Sequence, residues 1–118
     1  MVLYIKSCKN QHLKKDIIDY NEFNNEMELL KVLGHPNILK PFDCYQDRRY
    51  YYMVEEYCCR GDLFNYMQKE KFYTEKKSGL YFNQLLSAVN HLYKKIIVHR
   101  DLKPENIVLI EEKNKDVL

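Results

Sequence analysis

The segment His99–Asn106, HRDLKPEN, constrains the chain most, because eight mostly polar residues lie there between two short apolar runs. The apolar runs are Ile96 to Val98 before the segment and Ile107 to Ile110 after it. Upstream, apolar residues recur at helical spacing through about Lys95, namely Phe82, Leu85, Leu86, Val89 and Leu92. We therefore predict a long and largely buried helix, then a polar loop, then a short apolar segment.

Two polar residues are placed to begin helices. Thr74, followed by Glu75, is the predicted N-cap of the long helix, since its hydroxyl can accept a bond from the first turn. Asp62, after Gly61, can cap a short helix through Lys69 in the same way.

An earlier helix is predicted from Glu22. Its apolar face consists of Phe23, Met27, Leu30 and Leu33. Gly34 is the expected C-terminal cap, and Pro36 prevents continuation.

The remaining segments predict strands. Residues 2–6 form a short apolar strand, and 7–21 form a connection or a ragged helix start. Residues 37–44 and 49–56 form an antiparallel hairpin around the turn at Gln46-Asp47-Arg48. This order of strand, helix, hairpin, helices and loop predicts an α+β fold rather than a parallel α/β sheet.

Composition narrows the function classes. The 118 residues suit one small domain, with 46% hydrophobic and 31% charged residues. The net charge of +2 does not favour nucleic acid or an anionic membrane as a partner. No apolar stretch approaches the roughly 20 residues that span a bilayer, and the four cysteines form no C-x-x-C pair. We expect a cytoplasmic protein with reduced thiols and no membrane partner.

The string HRDLKPEN resembles the catalytic loop of eukaryotic serine/threonine protein kinases. In that family an aspartate accepts the proton of the substrate hydroxyl, which implies Asp101 for this role. The resemblance also implies Asn106 as a magnesium ligand and Lys103 beside the transferred phosphate. A lysine at that place is typical of the serine/threonine-specific loop, and His99 and Arg100 are mainly structural in the family. ATP, magnesium and a protein substrate are the implied cofactors and partner.

A lysine–glutamate pair extends the resemblance toward the N-terminus. Lys6 ends the strand LYIK, which is similar to the family's V-A-I-K. Glu26 lies nine residues before His35 in the string HPNI, as in the family's helix C and the strand that follows. The resemblance implies that Lys6 holds the α- and β-phosphates of ATP while Glu26 orients Lys6.

The segment EEYCCRGDLF resembles the hinge between the two kinase lobes. Backbone groups from Glu56 to Cys58 would then bond the adenine edge. Asp62 is a candidate for the ribose hydroxyls or a basic substrate residue, a role compatible with helix capping. Residues 1–56 correspond to part of the small lobe, with antiparallel strands and helix C. Residues 57–118 correspond to the hinge, the first large-lobe helices and the catalytic loop.

Departures from the family pattern raise two hypotheses. Tyr4 would crowd the adenine ring, and a carboxylate at Glu55, the gatekeeper position, would need a partner or a raised pKa. A Gly-rich loop before Lys6 and a D-F-G after Asn106 are not found in these residues, and the strand containing Lys6 is expected to be an uncovered edge of a three-stranded sheet. We therefore expect a partial kinase domain that is inactive alone. The alternative is a pseudokinase-like binding or regulatory module.

The subfamily most similar to these strings is the calcium/calmodulin-dependent and calcium-dependent kinase group. This likeness suggests calcium-linked regulation of the full-length protein, although no EF-hand loop occurs in the sequence.

Overall fold

A computed structural model describes residues 2–5, 12–14, 19–70 and 74–110, with side chains described for 19–70 and 74–110. The strands are β1 (Val2–Ile5), β2 (His12–Lys14), β3 (Pro41–Gln46), β4 (Tyr50–Glu55) and β5 (Ile107–Ile110). The helices are α1 (Tyr20–Val32), α2 (Leu63–Lys69) and α3 (Glu75–Lys94), with a 3₁₀ turn at Pro104–Asn106. The predicted α+β class is confirmed. The division at residue 56 stays a prediction.

The described strands form two antiparallel sheets. The first sheet has the order β2-β4-β3, so that β4 is the central strand and β3 is an edge. The β3–β4 pair is the hairpin that the sequence predicts. The second pairs β1 with β5, so that Val2 lies opposite Ile110 and Ile5 opposite Ile107. The strand that we expected at the edge of the hairpin sheet therefore pairs elsewhere, and that expectation was wrong. Both β1 and β5 are wholly apolar or aromatic, and pairing them satisfies the backbone groups of two such strands at once.

The hairpin sheet takes its third strand from a segment predicted to be a connection or a ragged helix start. His12, Leu13 and Lys14 lie opposite Tyr52, Tyr51 and Tyr50. The polar character of residues 7–21 concealed this strand, because edge strands tolerate charged residues and carry no clear alternation.

A capping side chain precedes each of the three α-helices in the described ranges. Asp19, Asp62 and Thr74 accept bonds from backbone N–H groups in the first turns of α1, α2 and α3, respectively. The caps at Asp62 and Thr74 confirm the sequence predictions. α1 ends differently from the prediction, since Leu33 is the C-cap and its N–H donates to the carbonyl of Leu29. Gly34 follows without adopting a left-handed conformation, so its lack of a side chain is not used there.

Two apolar clusters hold together the described part of the chain. The larger joins α1, the hairpin and α3, and consists of Phe23, Met27, Leu30, Leu33, Ile38, Tyr51, Met53, Ala88 and Leu92. The rings of Phe23 and Tyr51 stack there at 4.6 Å between centroids. The smaller cluster, Leu63, Tyr81, Ile107 and Leu109, joins α2, α3 and β5. It fixes the strand that directly follows the polar loop.

α3 is less buried than predicted. Its buried residues are Tyr81, Ala88 and Leu92, whereas Phe82 and Leu86 are 58% and 49% exposed. The helix is apolar over a wider arc than the two clusters cover, so helical periodicity identified the apolar face but overestimated its burial.

Candidate active site

The loop between α3 and β5 begins with two residues in left-handed conformations. Ile96 directly follows the C-cap of α3 and has a φ of 60°, and Arg100 has a φ of 69°. Such values are uncommon for residues other than glycine and occur often at functional sites. Directly after Arg100, the N–H of Asp101 donates to Nδ1 of His99 at 3.2 Å. The chain thus turns sharply just before the predicted base.

Asp101, Lys103 and Asn106 meet at this turn. Nζ of Lys103 lies 2.9 Å from Oδ1 of Asp101. Nδ2 of Asn106 donates to Oδ2 of Asp101 and also to its backbone carbonyl, each at 2.8 Å. The two carboxylate oxygens are therefore held by different partners, one of them a cation, and this fixes the plane of the carboxylate.

Asn106 is the buried member of the group, at 3% exposure, whereas the side chain of Asp101 is 49% exposed. The 3₁₀ turn positions Asn106, since its N–H donates to the carbonyl of Lys103 at 2.9 Å. Because both of its side-chain contacts are with oxygen acceptors, they must come from the amide nitrogen. The amide oxygen is then the atom through which Asn106 could hold a cation such as magnesium, which prefers oxygen ligands.

Glu26 lies on α1, half-buried, and lines a cleft of about 150 Å³ between α1 and the loop. The opposite wall of the cleft includes Val98 and His99, so α1 and the first residue of HRDLKPEN share one cavity. Lys6 lies outside the described residues, and its predicted pairing with Glu26 stays a prediction.

The hinge-like segment is fastened to β5. Arg60 donates its N–H to the carbonyl of Leu109 at 3.3 Å, and Leu109 donates to the carbonyl of Gly61 at 2.9 Å. Gly61 has a φ of 69°, a conformation that favours glycine, and its N–H closes a turn onto the carbonyl of Cys58 at 3.0 Å. The backbone that precedes α2 is therefore attached to the strand that follows the catalytic loop.

The predicted hinge residues lie on this attached segment. Glu56 is exposed and Cys58 half-buried, with Sγ of Cys58 donating to the carbonyl of Glu56 at 3.6 Å. Both carboxylate oxygens of Asp62 accept bonds from Asn65, one from its backbone N–H and one from its side chain. The capping role of Asp62 is confirmed, and its ligand-binding role stays a prediction.

The structure describes the side chain of Glu55 but only the backbone of Tyr4, the two residues that depart from the family pattern. Glu55 is half-buried at the end of β4, opposite Pro41, and it has an interaction partner. Tyr4 lies opposite Val108 in the β1–β5 pair, with its side chain outside the described part of the structure.

Two kinds of feature are absent from the described ranges. No helix there combines the length and apolar character needed to cross a bilayer. No group of three or more His, Cys, Asp or Glu side chains in residues 19–70 and 74–110 is arranged to hold a metal ion.

Sequence reasoning missed three contacts between the loop after α1 and α3. His35 and Asn37, in the loop after α1, contact Ser87, Gln84 and His91 on α3. The string HPNI resembles a family motif, but nothing in its local pattern indicates a contact with residues about fifty positions away.

Comparisons with known proteins agree with this geometry. The family described as "Protein kinase domain" matches residues 2–117. Calcium-dependent protein kinase 4 of Plasmodium berghei (strain Anka) and its namesake in Plasmodium falciparum (isolate 3D7) are each 39% identical over 112 residues. The match covers 95% of this chain and 21% of each relative, so the chain spans about a fifth of their length. With the family matched over nearly every residue and Asp101, Lys103 and Asn106 brought together, the chain belongs to the protein kinase domain family.

Proposed function

We propose that this chain is the part of an ATP-dependent serine/threonine protein kinase that contains the catalytic base. The observation that carries the proposal is the contact of Asp101 with both Lys103 and Asn106. An oriented, half-exposed carboxylate next to a cation and an amide suits proton removal from a hydroxyl beside a phosphate.

In the proposed reaction, the hydroxyl oxygen of a serine or threonine forms a bond to the γ-phosphorus of ATP. The bond from that phosphorus to the bridging oxygen breaks, and ADP leaves with the electron pair. Asp101 accepts the hydroxyl proton, which remains possible because each carboxylate oxygen has a second lone pair besides the one already engaged. Lys103, held at 2.9 Å from Asp101, is near enough to neutralise charge on the transferred group.

The amide oxygen of Asn106 would hold magnesium, which when bound offsets negative charge on the phosphates. The burial of Asn106 and its two bonds to Asp101 fit this role, because they fix the amide beside the base. Backbone groups from Glu56 to Cys58 would receive adenine, Asp62 the ribose or a basic substrate residue, and Lys6 with Glu26 the α- and β-phosphates.

The test places residues 2–117 into a working kinase. The aligned segment of calcium-dependent protein kinase 4 from Plasmodium falciparum is replaced by this chain, and phosphate transfer from radiolabelled ATP to serine and tyrosine peptides is measured. We expect transfer to the serine peptide, and a loss of about 10²-fold or more in Asp101→Asn, since an amide cannot accept the proton. Glu105→Gln, an exposed change in the same loop, is the matched control and should retain transfer.

A folded chimera that binds ATP with magnesium but transfers no phosphate would overturn the proposal and favour the pseudokinase-like binding module. Circular dichroism and nucleotide titration identify that outcome. Transfer only to tyrosine would contradict the serine/threonine assignment alone.

The isolated chain should show little transfer, since among the described side chains Asn106 alone is assigned to the metal. Transfer by the purified 118 residues well above an Asp101→Ala control would refute this expectation. We further propose a cytoplasmic location and calcium-linked regulation of the longer protein. The second suggestion is supported by the names of both relatives and by the resemblance of the motifs.

A further inference from the structure

A histidine pair joins α1 to α3 at a distance from the catalytic loop. His35 lies in the loop after α1 and His91 in the last turn of α3, with ring centroids 5.0 Å apart and planes inclined by 41°. Nε2 of His35 lies 3.1 Å from the hydroxyl oxygen of Ser87. Beside them, the side chain of Asn37 donates to the amide oxygen of Gln84 at 2.9 Å. We call these five residues the histidine junction.

The hydrogen bonds of His35 determine its protonation state. The backbone N–H of Asn37 donates to Nδ1 of His35 at 3.0 Å, so Nδ1 must present a lone pair. The neutral ring then carries its proton on Nε2, where the hydroxyl of Ser87 can accept it. The same turn is closed by the N–H of Ile38, which donates to the carbonyl of His35 at 3.2 Å.

A proton added to His35 would therefore go to the atom that accepts the Asn37 N–H. That bond would be lost, two N–H groups would face each other, and the turn would have to open. His91 faces His35 beside this turn, and its Nε2 is buried without a hydrogen-bond partner in the described part of the chain.

The other members of the histidine junction carry no negative charge that would stabilise a protonated His35 in the closed turn. Ser87, Gln84 and Asn37 are neutral, and His91 is the titratable group whose charge acts on His35. Lys94, in the last turn of α3, and the C-cap residue Lys95 follow His91, and as cations they supply no negative charge to the junction. Burial, and then the charge of His91, holds the pKa of His35 below its ordinary 6.5.

We propose that the histidine junction is a proton-sensitive contact that positions α1 against α3, closing when His35 is neutral and opening when it is protonated. α1 contributes Glu26 to the cleft that it shares with His99, so opening the junction would loosen one wall of the candidate active site. His35 is thus a positioning residue. The proposal concerns the chain's own conformation and holds or fails independently of phosphate transfer.

The direction of the pH dependence follows from the two states. In the closed state His35 stays neutral to lower pH, whereas in the open state it protonates near 6.5. The open state therefore binds more protons below about pH 6.5, and the closed state loses its advantage as the pH falls through that range. Above that pH range the histidine junction is closed.

The test measures amide hydrogen exchange of Asn37 in the 118-residue chain at pH 7.5 and 5.5, corrected for the intrinsic pH dependence. Protection should fall by up to about tenfold per pH unit while His35 titrates. The amide of Met53, a buried residue of β4, reports global stability and should change much less.

Two variants separate titration from structure. In His35→Asn, the side-chain oxygen can replace Nδ1 as acceptor for the Asn37 N–H but cannot titrate, so protection should become independent of pH. His91→Phe keeps an aromatic ring but removes the imidazole whose charge helps to lower the pKa of His35, so the pH dependence should be weaker.

Equal protection of Asn37 at both pH values would overturn the proposal. It would fail equally if His35→Asn kept the original pH dependence, or if Met53 lost protection in parallel with Asn37. Nuclear magnetic resonance titration of the histidine rings gives a second measurement, in which His35 should titrate below 6.5.

Discussion

Replacing Ile96 with glycine should stabilise the chain. Ile96 follows the last helical residues of α3 in a left-handed conformation, with φ of 60°. Its N–H donates to the carbonyl of Tyr93 at 2.9 Å, and the N–H of Ile97 donates to Leu92 at 3.0 Å. This pair of bonds defines the Schellman motif, whose left-handed position is usually glycine.

The magnitude follows from three contributions. A residue with a Cβ in this conformation costs about 1–2 kcal/mol, and a β-branched residue lies toward the upper end. Glycine also increases the entropy of the unfolded chain, which lowers the free energy of unfolding by roughly 0.5–1 kcal/mol and offsets part of that gain. Ile96 is 94% exposed, so almost no packing is lost with its side chain. The net gain in the free energy of unfolding for Ile96→Gly should be about 1 kcal/mol.

Urea unfolding, followed by circular dichroism at a helical wavelength, measures this change as a higher midpoint with an unchanged slope. Lys95→Gly is the matched control. The C-cap residue Lys95 has a φ of −98°, so glycine there gains nothing and should destabilise by roughly 0.5–1 kcal/mol. If Ile96→Gly were no more stable than the original chain while Lys95→Gly behaved as expected, the argument from backbone conformation would be refuted.

Two further substitutions test the elements that frame the site. Thr74→Ala should lower the free energy of unfolding by about 1 kcal/mol, because the hydroxyl of Thr74 accepts a hydrogen bond from the N–H of Lys77 at 3.2 Å. Thr74→Ser keeps the hydroxyl and should be nearly neutral. An equal loss of stability in both variants would argue against capping. Leu109→Ala should cost about 2–5 kcal/mol, because Leu109 is fully buried between α2 and α3. Phe64, an exposed residue of the neighbouring helix α2, provides the comparison, and Phe64→Ala should cost much less in the same urea assay. Similar losses of unfolding free energy in the two variants would contradict the assignment of Leu109 to the core.

Features fixed by neighbouring residues could be predicted from the sequence. Asp62 and Thr74 cap helices because each acts on backbone groups within three residues. Asp101 and Asn106 are five residues apart within a single turn of chain, and the motif was sufficient to predict that they meet.

Features that depend on distant residues could not be predicted. The exposure of Phe82 and Leu86 depends on how much of α3 the other elements cover, which periodicity does not encode. The contact of His35 with His91 joins segments that are separated by the whole hairpin and α2. Ile96 shows a third limit, since a β-branched residue gives no local sign of a left-handed cap.

The pairing of β1 with β5 has a consequence for biosynthesis. β1 is made first, and its partner follows about a hundred residues later, so at roughly 5–20 residues per second it remains without that partner for about 5–20 s. During this interval the edge of VLYI that pairs with β5 lacks that partner and is open to strands of other chains. Slower translation would lengthen the exposure, and a chaperone that binds short apolar segments would shield it until Ile107–Ile110 leaves the ribosome.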